Sequence, residues 1–182
     1  LELARMDGDE GDLDTVADAL DDMETLIEDL LSLAKQGRTV GETERVSLGT
    51  VARTAWECVD DEATLEIEDV ELEADTDRLQ QLLENLFVNA VTHGDPPIKV
   101  RIGPLSEGGG FFVDDDGPGI DPEKRTQVFD IGYTDREGGT GFGLAIVRRI
   151  AEAHDWSVRV TESESGGARF EFRIDKSGTT RP

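Results

Sequence analysis

The sequence is poor in cysteine and aromatic residues, and it lacks any long apolar run. A single cysteine, Cys58, cannot form an internal disulfide, so nothing in the composition requires an oxidising compartment. No segment approaches the roughly 20 apolar residues of a membrane-spanning helix, and no signal peptide is recognisable. The 182 residues therefore predict one ordinary domain with at most a helical appendage, located in the cytoplasm. Trp56 and Val59 beside Cys58 predict that its side chain is buried.

Positive charge is also scarce. The chain has 42 acidic and 18 basic residues, a net charge of −24, and only four of the basic residues are lysines. A net charge this negative repels other anions, which argues against nucleic acid or an anionic membrane surface as a partner. It would also repel itself in dilute buffer, and salt shortens the range of that repulsion. We therefore expect adaptation to a salty cytosol, with an ordinary acidic protein as the alternative.

The first part of the chain predicts helices. Residues 1–6 resemble the end of a helix, and apolar residues at steps of three and four predict a long amphipathic helix over 13–35. Periodicity alone does not separate a helix that packs on its own domain from one in a dimerising hairpin. Gly37 ends this helix, and the residues up to 45 have the composition of a linker.

After the linker, helical and strand patterns alternate. Helices and strands in this order predict a two-layer α/β sandwich, with a sheet on one side and helices on the other. The predicted helices cover 47–58, 75–93 and 143–153, and the predicted strands cover 64–68, 70–73, 98–102, 110–114, 157–162 and 169–174.

The helix over 75–93 carries an unusual polar stripe. Gln81, Asn85, Asn89 and His93 recur every four residues, which places them along one face. Asparagine is a poor residue for a helix interior, and amide oxygens can bind a hard cation such as Mg²⁺. The alternative is a solvated polar face without a function.

Two glycine-rich segments follow. Asp114–Ile120, DDDGPGI, comes after an apolar strand, where a carboxylate can accept a hydrogen bond from a purine amine; an acidic turn would look the same. Gly138–Leu144, GGTGFGL, leads into an apolar helix whose N-terminus can hold a phosphate; a glycine-rich hinge is the alternative. The second segment lacks the Lys-Ser/Thr ending of a P-loop.

Taken in order, these elements resemble the ATP-binding domain of histidine kinases, in the superfamily of gyrase, Hsp90 and MutL. The matching motifs are ENLFVNAVTHG (84–94, N box), DDGPGI (115–120, first Gly box), VFDIGYT (128–134, F box) and GTGFGLAIVRRIAEAH (139–154, second Gly box). The resemblance implies a Bergerat-type fold with a mixed sheet against helices. It divides the chain into a remnant of a helical dimerisation hairpin (1–38), a linker (39–45), the ATP-binding catalytic domain (46–175) and a frayed tail (176–182).

The resemblance also implies ATP and Mg²⁺ as cofactors and assigns roles to residues. Asn89 would bind Mg²⁺, with Asn85 as a possible second ligand, and Asp115 would accept from the adenine amine. The segment 121–138 would form a mobile ATP lid, in which Lys124, Arg125 and Arg136 are the candidate cations. The implied ATP-binding residues are Asn85, Asn89, His93, Asp115, Gly117, Gly119, Ile120, Tyr133, Thr134, Gly139, Thr140, Gly141, Phe142, Gly143 and Leu144.

As a member of this family, the chain would transfer the ATP γ-phosphoryl to a histidine and then to an aspartate of a response-regulator receiver domain. The intact protein would be a homodimer through its hairpin. The resemblance leaves open whether it is anchored in a membrane. The acceptor histidine box is missing, since only residues 1–6 remain of the helix that would carry it, so this piece alone should not autophosphorylate. His93 and His154 lack the acceptor's surroundings, which favours cap or core roles for both.

Departures from the family pattern keep two alternatives open. Asn85 stands where related ATPases carry a water-activating glutamate, which favours phosphoryl transfer over gyrase-type hydrolysis. Glu84 is adjacent but is expected on another face of the helix. Thr92 replaces a basic residue, and Arg169 in GGARF replaces a small hydroxyl expected beside the adenine. These two changes favour a non-catalytic nucleotide-binding signalling module.

Overall fold

The computed structural model describes residues 41–59, 63–107, 109–134 and 140–174. The predicted hairpin remnant over 1–38, the candidate residues Arg136 and Gly139, and the tail over 176–182 lie outside the described residues. In the part of the chain that is described, no helix combines the length and apolar character needed to cross a lipid bilayer.

Seven strands and three α-helices make up the described chain. The strands are β1 (Glu44–Ser47), β2 (Ala63–Ile67), β3 (Glu71–Ala74), β4 (Ile98–Pro104), β5 (Gly110–Asp115), β6 (Trp156–Glu162) and β7 (Ala168–Ile174). The helices are α1 (Leu48–Ala55), α2 (Thr76–His93) and α3 (Gly143–Ala153), with 3₁₀ turns at Trp56–Cys58 and Gln127–Phe129.

Five strands form a mixed sheet in the order β2-β4-β5-β7-β6. β2 pairs with β4 in parallel, and the remaining pairs are antiparallel. Apolar side chains from the sheet and from all three helices form one core, in which Phe87, Phe111 and Phe172 are fully buried. The predicted two-layer sandwich of a mixed sheet against helices is confirmed.

A second, two-stranded sheet was not expected from the sequence. β1 pairs with β3 in antiparallel register, with the buried side chains of Val46 and Leu72 opposite each other. β1 begins at Glu44, inside the range 39–45 predicted as linker, so the last two residues of that range form a strand. This segment has two charged residues, and only Val46 of its four residues is buried. Its sequence therefore shows no alternating strand pattern.

The helix boundaries follow from their caps. The Ser47 side chain accepts from the Thr50 N–H at the start of α1, and the Asp75 side chain accepts from the Arg78 N–H at the start of α2. The inward face of α2 is apolar and buried, as its periodicity predicts: Leu79, Leu82, Leu83, Leu86, Phe87 and Ala90. The polar stripe of α2 is thereby held on the side away from the core.

The predicted burial of Cys58 is wrong. Its side chain is exposed at the end of the 3₁₀ turn, where Sγ donates to the Ala55 carbonyl at 3.1 Å. Trp56, which is partly buried, packs against the core instead and lies edge-on to Phe87, with ring centroids 4.9 Å apart. A residue two positions after Trp56 is rotated by about 240° in a 3₁₀ turn, so Cys58 lies on the side away from the one that Trp56 packs into the core.

Candidate functional site

A cleft of about 580 Å³ lies between α2, the end of β5 and the start of α3. This volume is typical of small-ligand sites. Twelve of the fifteen residues that the sequence assigned to ATP line it: Asn85, Asn89, His93, Asp115, Gly119, Ile120, Tyr133, Thr134, Thr140, Gly141, Gly143 and Leu144. Gly117 and Phe142 do not line the cleft, although both lie next to residues that do, and Gly139 is outside the described residues.

Asp115 ends β5 on the cleft side of the sheet. Its Oδ1 accepts from the backbone N–H of Gly117 at 2.9 Å and from that of Ala168 at 3.1 Å. Gly117 therefore contributes to the site by holding the Asp115 carboxylate. Burial raises the pKa of the Asp115 carboxyl, and the charges of Asp114 and Asp116 add to the rise, while the two backbone hydrogen bonds oppose it.

The three consecutive aspartates have three different environments. Side chains alternate along β5, so Asp114 faces away from the cleft, where it is 2% exposed and binds Arg101 and Arg169. Asp116 lies beyond the strand, and its Oδ1 accepts from the Lys99 N–H at 2.7 Å. Strand alternation and these partners separate the charges, and only Asp115 remains to face the cleft.

Asn85 and Asn89 face the start of α3. Asn85 Nδ2 donates to the Gln81 carbonyl at 2.8 Å, one turn back along α2. A Cβ added at Gly143 would lie 3.1 Å from Asn85 Oδ1 and 3.5 Å from Asn89 Nδ2. A side chain at position 143 would therefore contact both amides and would require the Asn85 amide to shift by a few tenths of an ångström.

The amide of Asn89 is incompletely satisfied. Nδ2 is buried and has no hydrogen-bond partner among the described residues. A phosphate oxygen would satisfy this donor, and the same amide turned over would present its oxygen, a ligand that Mg²⁺ accepts. The described residues contain no cluster of three or more His, Cys, Asp or Glu that could hold a metal.

The N-terminus of α3 is suited to an anion. Phe142 occupies the cap position and makes no side-chain capping bond, so the N–H groups of the first turn have no cap there. Its own ring packs against the core, which explains why Phe142 does not line the cleft. Uncapped N–H groups and the helix dipole together favour negative charge at this end of the cleft.

Glycines join the later part of the predicted lid to the second Gly box. The Gly132 N–H donates to the Gly141 carbonyl at 3.0 Å. Gly141 has φ +69°, and a Cβ there would lie 2.6 Å from the carbonyl carbon of Gly132. The two backbones are pressed together at a position that only glycine permits.

The candidate lid cations differ in their surroundings. Lys124 lines the cleft. Arg125 does not: its Nε donates to the Ile120 carbonyl at 3.0 Å, and its guanidinium lies 3.9 Å from Glu162. Arg125 therefore anchors the loop after the first Gly box, and Arg136 is outside the described residues.

The expected place of Arg169 is wrong. Arg169 points to the face of the sheet opposite the cleft, where it binds Asp114 at 2.8 Å and lies over the Phe112 ring at 3.6 Å. Its neighbours Ala168 and Phe170 line the cleft instead. Side chains alternate between the two faces along β7, so the residue beside Asp115 is Ala168, one position before the expected Arg169. The position beside Asp115 is therefore occupied by a residue that has no hydroxyl.

Other lining residues were missed. Glu84 lines the cleft, contrary to its expected place on another helix face, and its Oε1 accepts from Gln80 Nε2 at 2.8 Å. Neighbouring residues on a helix, such as Glu84 and Asn85, are rotated by about 100° from each other. This rotation is too small to move a long side chain out of a wide cleft. Val88 and Thr92 also line it, and the helical spacing from Asn85 could have identified Val88.

His154 has the structural role that its surroundings predicted. It follows the end of α3, where Nδ1 lies 2.9 Å from the Ile150 carbonyl and Nε2 accepts from the Asp75 N–H at 3.0 Å. This arrangement requires the neutral ring with the proton on Nδ1. Burial lowers the pKa of His154, which keeps the ring neutral. The ring thus joins the end of α3 to the start of α2.

Comparison with known proteins agrees with this geometry. Residues 74–178 match the family model described as "Histidine kinase-, DNA gyrase B-, and HSP90-like ATPase", which is more than half of the chain. The chain belongs to this ATPase family. The resemblance found in the four motifs is thereby confirmed.

Relatives within the family are sensor kinases. The chain is 36% identical to the methanogenesis regulatory histidine kinase FilI of Methanothrix harundinacea, over 95% of this chain and 21% of FilI. It is 31% identical to the sensor histidine kinase CpxA of Escherichia coli, over 92% of this chain and 40% of CpxA. The chain therefore spans between one fifth and two fifths of the length of these relatives.

A solved structure shares the fold. The crystal structure of full-length ShkA in complex with AMPPNP superposes with a TM-score of 0.67 at 26% identity, covering 82% of this chain and 35% of ShkA.

Proposed function

We propose that this ATPase-family domain is the ATP-binding catalytic part of a sensor histidine kinase. The observation that carries the proposal is the cleft itself, in which Asp115 and the uncapped start of α3 both face one cavity with two asparagine amides. A fixed carboxylate suits an adenine amine, and the helix terminus suits phosphates. The naming of FilI and CpxA as histidine kinases, and the AMPPNP complex of ShkA, support the same conclusion.

Each group in the cleft has a proposed task. Asp115 accepts from the adenine amine, and the first-turn N–H groups at Gly143 and Leu144 donate to phosphate oxygens. Asn89, with Asn85 as a second candidate, holds Mg²⁺ through its side-chain oxygen when the buried amide is turned over. When bound, Mg²⁺ would neutralise charge on the phosphates. The chain's contribution is to orient the nucleotide, so a missing local base does not oppose transfer.

In the intact protein, we propose that the γ-phosphoryl passes to a histidine on a dimerisation hairpin and then to an aspartate of a response-regulator receiver domain. The intact kinase would be a homodimer through that hairpin. This domain would work in the cytoplasm, with no membrane contact of its own and no nucleic-acid partner, as its net charge of −24 favours.

Hydrolysis is a second candidate function because Glu84 lines the cleft. A carboxylate near the phosphates could take a proton from water, as Asn85 cannot. Steady release of inorganic phosphate by the isolated domain, abolished by Glu84→Gln, would favour hydrolysis. Phosphoryl transfer to a supplied hairpin peptide that bears the histidine would favour the kinase. A domain that binds ATP but does neither would be the non-catalytic signalling module.

Binding of Mg-ATP measured by calorimetry in concentrated KCl tests the proposal. We expect the unaltered chain to bind, Asp115→Asn to lose most affinity, and Asn89→Asp to change the dependence on Mg²⁺. Lys99→Gln, at a surface ion pair with Glu66 outside the cleft, is the control and should bind normally. A folded chain that does not bind ATP would refute the proposal.

We also propose that the acidic surface adapts the protein to concentrated salt. The support is the net charge of −24, whose self-repulsion salt would screen. The free energy of unfolding should then rise from about 0.1 M to about 3 M KCl. No rise would favour an ordinary acidic protein.

A further inference from the structure

A buried hydroxyl lies behind Asp115. Ser163, in the turn between β6 and β7, is 6% exposed, and no motif drew attention to it. Its Oγ donates to the Asp115 carbonyl oxygen at 2.7 Å and accepts from the Gly167 N–H at 2.9 Å. The hydroxyl therefore joins the end of β5 to a turn 48 residues further along the chain.

The turn that carries Ser163 is tightly built around Asp115. The Ser163 N–H donates to the Gly167 carbonyl at 2.9 Å, which closes the turn. A Cβ added at Gly167 would lie 2.2 Å from the Asp115 carbonyl oxygen and 2.5 Å from its Oδ1. Only glycine permits this approach, so the turn is in direct contact with both the backbone and the carboxylate of Asp115.

Ser163 and Ala168 hold Asp115 at two points. The hydroxyl of Ser163 binds its carbonyl, and the N–H of Ala168, the residue after Gly167, binds its carboxylate. If the turn moved, the Ala168 N–H would move with it, because Gly167 links the two contacts. The direction in which the carboxylate points into the cleft therefore depends on the Ser163 hydroxyl.

We propose that Ser163 is a positioning residue for recognition of the base, acting through Asp115. The inference rests on the proposed function, in which Asp115 accepts from the adenine amine. Removal of the hydroxyl leaves the Asp115 carbonyl and the Gly167 N–H without a partner in a buried place, so the turn relaxes. The carboxylate then keeps only its hydrogen bond from the Gly117 N–H and is less well oriented, while the phosphate end of the cleft, formed by α2 and α3, is unchanged.

The experiment compares ATP with purine riboside triphosphate, which has hydrogen in place of the amine. A hydrogen bond to a fixed carboxylate should make ATP bind about tenfold or more tightly than the analogue in the unaltered chain. Ser163→Ala should bring this ratio down to about threefold or less, mainly through weaker ATP binding. Ser163→Thr keeps the hydroxyl and should keep the ratio. Ser165→Ala, in the same turn, is the matched control and should also keep it.

The outcomes separate the two proposals. If the unaltered chain does not distinguish the two nucleotides, the role of Asp115 in the proposed function is refuted. If it does and Ser163→Ala weakens both nucleotides equally, or leaves the ratio unchanged, Ser163 is only structural and the inference is overturned. In an Asp115→Asn background, Ser163→Ala should have no further effect on the ratio. Should Ser163→Ala not fold, Ser163→Cys retains the size with a weak donor and should lower the ratio.

Discussion

The carboxylate of Asp114 should be a major source of stability in this domain. It is 2% exposed and accepts from Arg101 Nε at 3.0 Å, from Arg101 Nη2 at 2.9 Å and from Arg169 Nη1 at 2.8 Å. The hydrogen bonds and charge of Asp114 raise the pKa of the Arg101 guanidinium. Asp114→Asn keeps the shape of the side chain and removes its charge, so two guanidiniums lose their shared partner.

Removal of one partner from a buried ion pair costs about 3–5 kcal/mol. Here the loss should lie lower, at about 2–3 kcal/mol, since Arg101 is 31% exposed and Arg169 keeps Glu171 at 3.3 Å. For a domain of this size, that corresponds to a fall in Tm of about 4–12 °C. Unfolding by urea, followed by tryptophan fluorescence in concentrated KCl, measures the loss. The effect should persist in salt because Asp114 is buried.

Glu164→Gln is the matched control. Glu164 contacts the same guanidinium of Arg101, but at 3.5 Å and with its side chain 82% exposed, so its loss should cost less than about 0.5 kcal/mol. Equal losses for the two variants, or a loss below about 0.5 kcal/mol for Asp114→Asn, would refute the argument that burial makes the Asp114 pair strong.

Two further predictions follow from contacts at the two ends of α3. His154 is neutral in the fold and its pKa is lowered by burial, so stability should be full above the unfolded pKa of about 6.5 and should fall as the pH drops below it. His154→Gln should remove this dependence of the free energy of unfolding on pH between about pH 7.5 and 5.5, and His93→Gln, the control, should retain it. The same pH dependence in His154→Gln as in the unaltered chain would contradict the assignment. Gly143→Ala should fold normally but bind Mg-ATP at least about tenfold more weakly, since its Cβ would lie 3.1 Å from Asn85 Oδ1. Calorimetry measures the affinity, and an unchanged value would refute the argument from this close approach.

Much of the fold and most of the cleft could be predicted from local patterns. The helices over 75–93 and 143–153 follow from apolar periodicity, and the asparagine stripe could be recognised because it interrupts that periodicity with poor helix formers. β1 could not be predicted, because its pairing with β3 depends on residues 24 to 30 positions apart. The two-stranded sheet is a tertiary contact, and strand propensity does not identify partners.

Errors in the site have a common cause, which is uncertainty of one residue in register. In β7, a shift of one residue moves a side chain to the opposite face, so Arg169 was expected where Ala168 lies. In α2, the same shift rotates a side chain only partly, so Glu84 remained in the cleft. Ser163 could not be identified at all, because its importance depends on a contact with Asp115 across 48 residues.

The charges that surround the cleft limit how it could hold a triphosphate. Glu84, Asp115 and Asp121 line it, and among the described lining residues Lys124 is the only Lys or Arg, while Thr92 stands where the family commonly has a cation. Among the described residues, side-chain cations therefore supply little attraction, and under the proposed function the start of α3, together with Mg²⁺, would supply most of it. A site of this kind differs from a basic site, whose attraction falls steeply as salt screens it. Nucleotide affinity at saturating Mg²⁺ should accordingly depend only weakly on KCl concentration, which suits the salt-rich surroundings that the acidic surface favours.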